Sequence, residues 1–363
     1  MSALTLAVLG ATGLVGQHLI HILEQRQFAQ RFGTFTLKPL ASERSQGQTV
    51  RFMGQDVPVQ LAEPDAFNGV DIVLASAGGS VSEALVPEAV KRGCVVIDNT
   101  SHYRMQPDVP LVVAGVNDEA LKSHAGIIAN PNCSTAQLMP VLKALHQAAG
   151  LKRVIVSTYQ SVSGAGKEGM EALWRQTEAL VAQPDTPVEK IGYESPGALD
   201  RETFPIAFNL IPMIDVLLEK PDVYQGYSKE EWKLIVETRK ILELPELAIT
   251  ATAVRVPVMI GHSECVTVDL ERALSPEQAE ALLKNTPDVV VSPAMSREYP
   301  TPKQAAGQDP VYVGRLRRDS SNPETGLNFW VVADNLRIGA ALNAVRLAEL
   351  LITMNLLKFP SVA

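Results

Sequence analysis

The 363-residue chain is 46% hydrophobic and 20% charged, which is too apolar for a disordered chain and long enough for about two domains at roughly 150 residues each. Its formal net charge of −8, from 32 Lys and Arg against 40 Asp and Glu, comes with no basic cluster and argues against a nucleic-acid partner, whose phosphates demand one. Cys94, Cys133 and Cys265 are too few for a disulfide framework or a four-ligand zinc site, and no apolar run reaches the ~20 residues that span a bilayer, so neither a metal centre nor a membrane protein is expected.

Met1 to Gly10 has no basic region and meets a glycine too early for a signal peptide, so the mature chain is expected to begin here, in a reducing cytoplasm. Leu4 to Leu9 reads as a buried strand, followed directly by Gly10-Ala11-Thr12-Gly13-Leu14-Val15-Gly16 and a helix. In that helix Leu14, Val15, Leu19, Ile20, Ile22 and Leu23 recur at near-helical spacing and leave Gln17, His18, His21 and Glu24 on its polar side. Strands are expected at Phe35 to Leu40, Ile72 to Ala75, Val95 to Asp98, Leu111 to Ala114 and Ile127 to Ala129, with a helix over Ser82 to Lys91. Short apolar strands alternating with helices predict a Rossmann-like, doubly wound parallel sheet over residues 1–131.

The pattern changes after Asn130-Pro131-Asn132. A helix over Thr135 to Ala149 leads into longer β-branched strands at Val154 to Gln160, Ala248 to Val256 and Glu264 to Leu270, the signature of an open mixed sheet in a second, α+β domain over residues 132–338. Gln183 to Asp222 is proline-rich and predicts an excursion that covers the site or reaches a partner subunit. Gly339 to Leu357 reads as an apolar buried helix that returns to complete the first domain.

Gly10, Gly13 and Gly16, between strand and helix, are the residues that let backbone N–H groups approach a pyrophosphate, so a dinucleotide is expected there. Their Gly-x-x-Gly-x-x-Gly spacing is not the commonest, and its position after a strand carries the inference. At the end of the second strand, Ser42 and Arg44 suit the 2′-phosphate of NADP, while Glu43 keeps NAD open. A second glycine turn, Ser76-Ala77-Gly78-Gly79, can line the same nucleotide or be a strand-to-helix turn capped by Ser80 or Ser82.

Cys133 opens a helix, where the dipole and free N–H groups favour a thiolate and hence a nucleophile. Cys94 reads as packing, and Cys265 lies in a strand with nothing to activate it. Of the six histidines, His262 in the turn Val256-Pro257-Val258-Met259-Ile260-Gly261-His262 is the best placed to serve as base.

The glycine loop, Asn130-Pro131-Asn132-Cys133-Ser134-Thr135, Gln160-Ser161-Val162-Ser163-Gly164-Ala165-Gly166 and Arg255 through His262, in that order, resemble aspartate-β-semialdehyde dehydrogenase. The resemblance implies NADPH-dependent reductive dephosphorylation of L-4-aspartyl phosphate to aspartate semialdehyde, through a thioester on Cys133, on the route to lysine, threonine and methionine. It casts His262 as the acid/base and Gln160 as the residue that positions thiol and substrate. Arg255 would fork onto the substrate carboxylate, Glu230 face its amino group, Arg104 and Lys233 bind phosphate, and Asn132 sit beside the cysteine. Ser163 and Gly164 would reach the nucleotide. Without the resemblance, Glu230 and Lys233 read as a solvated helix pair three residues apart.

A homodimer or a dimer of dimers is implied as well. N-acetyl-γ-glutamyl-phosphate reductase is the alternative with the same chemistry, and a non-catalytic NADPH-binding homologue the alternative without it. The Ser-Cys-Thr-Thr-Asn box of glyceraldehyde-3-phosphate dehydrogenase is absent.

Overall fold

The computed structural model describes residues 4–33, 35–182 and 205–358. The chain forms two compact units, Met1–Ala136 with Gly339–Ala363, and Gln137–Ile338. Of the proline-rich excursion, residues 183–204 lie outside the described part.

The first unit begins β1 (Leu4–Leu9), α1 (Leu14–Gln25), α2 (Phe28–Phe32), β2 (Phe35–Ala41), β3 (Thr49–Phe52), β4 (Gln55–Pro58) and β5 (Gln60–Leu61). It continues through β6 (Ile72–Ala75), α3 (Gly79–Lys91), β7 (Val95–Asp98), β8 (Ile127–Ala129) and the start of α4 (Cys133–Ala149). Six strands form one parallel sheet in the order β5-β2-β1-β6-β7-β8, while β3 and β4 make a separate hairpin. Every residue of β6 and β7 is buried, as expected of strands covered on both faces. The strand order turns back between β1 and β6, and Leu9 pairs with both Leu40 and Ala75. The three segments that follow these strands therefore leave the sheet at one level, where open α/β sheets bind ligands.

Two expectations need correction here. Leu111 to Ala114 is not a strand: it contributes one bridge, Leu111 to Ala129. The amides of Val113 and Ala114 donate instead to the side chains of Asn117 (2.9 Å) and Asn343 (2.8 Å), so side chains replace a ladder. The C-terminal apolar segment is not a single helix either. A π-turn over Arg337–Ala341 precedes the α-helix Leu342–Thr353, which is tied to the start of the chain because Glu349 accepts from Arg26 (2.8 and 2.7 Å) and Arg31 (2.6 Å).

The second unit holds the rest of α4, then β9 (Leu151–Gln160), α5 (Gly166–Val181), α6 (Lys229–Leu242), β10 (Ala248–Arg255), β11 (His262–Leu270) and α7 (Pro276–Lys284). It ends with β12 (Val289–Val291), α8 (Pro302–Ala305), β13 (Val311–Arg318) and β14 (Gly326–Ala333). The sheet is mixed, in the order β10-β9-β11-β14-β13-β12, parallel only at its two outer pairs. On β9, Val154, Val156, Thr158 and Gln160 are buried while Ile155, Ser157 and Tyr159 are half-buried, so one face is core and the other partly open.

Candidate active site

In the first unit the glycine loop is shaped by contacts that only glycine permits. Gly10 adopts φ 88°, in the left-handed region closed to most side chains, and its N–H donates to Leu40 O (2.8 Å) with Ala11 N–H beside it (3.1 Å). A Cβ on Gly16 would lie 2.1 Å from Gly10 O and 2.8 Å from Ala11 Cα, so the helix could not pack against its own loop. Gly13 is the N-cap residue of α1, with Leu14 and Val15 opening the helix. No side chain caps that end and no acidic residue occupies its first turn, leaving the positive end of the helix to an anion.

A cleft of about 520 Å³ lies above, lined by Gly10, Thr12, Gly13, Ser42 and Ser76 together with Leu9, Ala41, Ala62, Ala77, Ser80, Val81, Ala84 and Leu85. Thr12 Oγ1 lies 2.9 Å from Ser45 Oγ, joining the loop to the turn over Glu43–Ser45. Arg44 is exposed on that turn and is not part of the cleft wall. Gly78 and Gly79 lead into α3. Neither serine caps that helix, contrary to expectation: its N-cap is Gly78, Ser80 faces the cleft, and Ser82 donates to buried Asp98 (2.8 Å). A cleft lined by small polar and apolar residues, a helix end free of acidic groups and a glycine cradle fit a dinucleotide.

The same unit presents Cys133, the first residue of α4. Asn132 is the cap of that helix, its Oδ1 accepting from Ser134 N (3.0 Å) and Thr135 N (3.4 Å). Gly339 of the π-turn presses on the cysteine, since a Cβ there would lie 2.3 Å from Cys133 Cβ. Asn130 ties the turn down through Gly339 O (3.4 Å) and is held in turn by Asn343 (2.6 Å). Arg104 is buried and donates to Asn130 O (2.9 Å) and Asn99 O (2.7 Å). None of the three cysteines is in a disulfide, and burial pushes the Cys94 thiol up to about 11.

In the second unit, the parallel register of β9 and β10 sets Gln160 opposite Arg255. Helix α6 carries Glu230 and Lys233 and is anchored by a capping box between Ser228 and Glu231, whose carboxylate also accepts from Ala253 N on β10 (3.0 Å). Gln160 Nε2 donates to Glu230 Oε1 (3.2 Å), and Lys233 Nζ donates to Glu230 Oε2 and Asp215 Oδ2 (both 3.0 Å). Glu230 and Lys233 are thus not a solvated pair. Burial works against the Lys233 charge, but the two carboxylates outweigh it and hold the ammonium more firmly protonated than usual.

His262 opens β11 and is fully buried. Its Nδ1 receives the main-chain N–H of Ser161 (3.1 Å). Burial, then the neighbouring Arg255 guanidinium, lower its pKa to about 3. Arg255 Nη1 donates to Ser161 O (3.0 Å). Ser163 and Gly164 lie on the turn Val162–Ala165; a Cβ on Gly164 would stand 3.0 Å from Arg255 Nη1 and 3.4 Å from His262 Nε2, so glycine keeps that space open.

Two family models match the chain: a semialdehyde dehydrogenase NAD binding domain over residues 5–124 and a semialdehyde dehydrogenase dimerisation domain over residues 142–338. The aspartate-semialdehyde dehydrogenase of Bacillus subtilis is 47% identical over 355 residues, covering 97% of this chain and 99% of that one.

The chain belongs to the aspartate-semialdehyde dehydrogenase family.

Among solved structures of this family, aspartate semialdehyde dehydrogenase II of Vibrio cholerae complexed with ASA is 43% identical with a TM-score of 0.88, over 97% of this chain and 99% of that one. The Candida albicans enzyme with NADP is 27% identical with a TM-score of 0.72, over 98% and 99% of the two chains. The Rossmann-like unit and the mixed-sheet unit expected from the sequence are both the family's own. Family motifs nevertheless left several residues of this site unmarked. Asp215 and Asn335 stand in loops without a motif, Ser161 acts through its main chain, and the apolar cleft residues are identified only by the strand order.

Proposed function

We propose that the protein catalyses NADPH-dependent reductive dephosphorylation of L-4-aspartyl phosphate to L-aspartate 4-semialdehyde, as a homodimeric biosynthetic enzyme of the cytoplasm. The observation that carries this reading is the set of buried Arg255, Gln160 and Glu230 with half-buried Lys233: a guanidinium for a carboxylate, and a carboxylate for a free amine. An N-acetylated substrate, as in the alternative reductase, has no ammonium to meet Glu230.

Cys133 attacks the acyl phosphate carbon as its thiolate. The S–C bond forms, the C–O bond to phosphate breaks, and the departing phosphate takes up one solvent proton. Arg104 and Lys233 receive the phosphate, Gln160 orients the reacting carbonyl, Asn132 sets the entry to the cysteine helix, and His262 stands at the carbonyl oxygen. Gly10, Ala11, Thr12, Gly13, Leu14, Val15 and Gly16, with Ser42, Ser76, Gly78 and Gly79, hold NADP at the cleft, Arg44 on the exposed turn beside the cleft is assigned to its 2′-phosphate, and Ser163 and Gly164 are assigned to the nucleotide as well. Bound there, NADPH supplies the hydride that reduces the thioester.

The test follows phosphate-dependent NADP reduction, with aspartate semialdehyde and N-acetylglutamate semialdehyde supplied in parallel. Turnover with the first alone is expected. Turnover with only the second moves the function to the alternative reductase, and NADPH binding without turnover on either makes the chain a non-catalytic homologue.

A further inference from the structure

We propose that Asp215 makes the site select a free amine: by sharing the Lys233 ammonium with Glu230, it leaves Glu230 the negative charge that a substrate ammonium meets. The inference deepens the assignment of Glu230 and Arg255 to the substrate's amino and carboxylate groups, and rests on it.

All the groups involved belong to the second unit, and the backbone around Asp215 is tied to them. Ile211 and Arg255 exchange main-chain hydrogen bonds (3.1 and 2.8 Å), which joins the segment before Asp215 to the last residue of β10. Immediately after Asp215, Val216 O accepts from Lys229 N (2.8 Å), the first residue of α6, and Leu217 bridges to Ser228. Ile214 is buried between these two ties. Asp215 itself adopts φ 69°, a left-handed conformation that Asp and Asn tolerate because their short side chains bond to nearby backbone. Its Oδ1 accepts from Val216 N (2.9 Å), which fixes the carboxylate and leaves Oδ2 to Lys233 Nζ (3.0 Å).

The consequence is one of charge. Glu230 paired with Lys233 alone would be a closed, neutral couple with little attraction for an ammonium. With Asp215 as near to Nζ as Glu230 is, at 3.0 Å each, two carboxylates share one cation and the three groups are net negative. Lys233 stays charged there because the carboxylates outweigh its burial. Arg255 adds a positive charge, while His262, its pKa lowered to about 3 by burial and by Arg255, adds none. Glu231 is the capping-box carboxylate, balanced by the positive end of α6 and by N–H groups of Ser228 and Ala253.

The groups assigned to the amino-acid end of the substrate are therefore neutral in sum, as is the zwitterion of aspartate semialdehyde. Without Asp215 they would be net positive and would suit an N-acylated, anionic substrate. In a half-buried site, a unit charge several ångströms away changes affinity by about tenfold. Lys233 is also assigned to phosphate, and toward that anion the Asp215 carboxylate acts with the opposite sign. Removing its charge should thus move the amine-bearing substrate and phosphate in different directions, which a loosened loop cannot do.

The test is phosphate-dependent NADP reduction, with aspartate semialdehyde and inorganic phosphate varied separately. Asp215→Asn keeps the left-handed backbone and the bond from Val216 and removes the charge. We expect KM for aspartate semialdehyde to rise about tenfold, KM for phosphate not to rise, and kcat to stay within about threefold. The preference, in kcat/KM, for aspartate semialdehyde over its N-acetylated derivative should shrink by about the same tenfold. Adding Lys233→Gln to Asp215→Asn makes the site neutral again, so KM for aspartate semialdehyde should fall back toward that of the unaltered protein while KM for phosphate rises.

An unchanged KM for aspartate semialdehyde in Asp215→Asn, or a rise of both constants together, overturns the proposal. So does a double variant as impaired toward aspartate semialdehyde as Asp215→Asn. An unaltered protein that prefers the N-acetylated substrate would instead remove Glu230 from the amine, which separates failure of the underlying reading from failure of the role of Asp215.

Discussion

At the scale of single residues, the buried ionisable groups give the sharpest expectations. Cys133→Ala should abolish turnover while NADPH binding, followed by nucleotide fluorescence, persists; turnover like that of the unaltered protein would remove the covalent route. Glu264, two residues along β11 from His262, is fully buried, and burial raises its pKa well above the ordinary carboxylate range, with only partial relief from Gln137 on α4. The folded protein thus keeps a proton that the unfolded chain releases above about pH 4.3. Stability lost to this group is absent below that value and grows by about 1.4 kcal/mol per pH unit above it, until the folded pKa is reached. Glu264→Gln removes the slope, so the gain in its thermal midpoint over the unaltered protein should be larger at pH 8 than at pH 5; equal midpoints at both would refute a neutral carboxyl.

Cys133, Gln160, Arg255 and His262, proposed to act through their side chains, are singled out in the sequence because motif and spacing mark them. Glu264 sits in a strand that reads as ordinary alternation, and only the tertiary packing reveals that its carboxyl has no access to water.

Elements were legible where one physical cause acts alone. The strand–glycine loop–helix at the start follows from apolar patterning and from sterics, and it predicts that Gly16→Ala, which forces a Cβ against main chain, lowers NADPH affinity about tenfold or more in a fluorescence titration. Where side chains of distant residues satisfy the backbone, local reading fails. Leu111 to Ala114 has the composition of a strand, but Asn343, more than two hundred positions later, takes its hydrogen bonds. The same distance hides the π-turn. Its widened backbone sets Gly339 against Cys133, and π-turns inside helices recur at functional sites. Gly339→Ala should cut turnover at least about tenfold and change the rate at which iodoacetamide alkylates Cys133; an unchanged alkylation rate would show that the turn does not position the thiol.

For the molecule as a whole, the first unit is built from both ends of the chain. A chain ending at residue 338 lacks Asn343 and Glu349, and with them the clasp on Asn130 and the acceptor for Arg26 and Arg31. It should lose NADPH binding while residues 137–338 keep their circular dichroism in the β region; full nucleotide affinity in the truncated chain would show the C-terminal helix to be dispensable. The described helices include none long and apolar enough to cross a membrane. This two-ended construction also bears on birth at the ribosome. Domains tend to fold as they emerge, yet here the segment up to Ala136 waits for the segment from Gly339 onward, whereas the inserted middle can settle first. Stalled or prematurely terminated chains would then carry a finished middle and an unfinished nucleotide fold, leaving them marked for proteolysis before they can sequester cofactor.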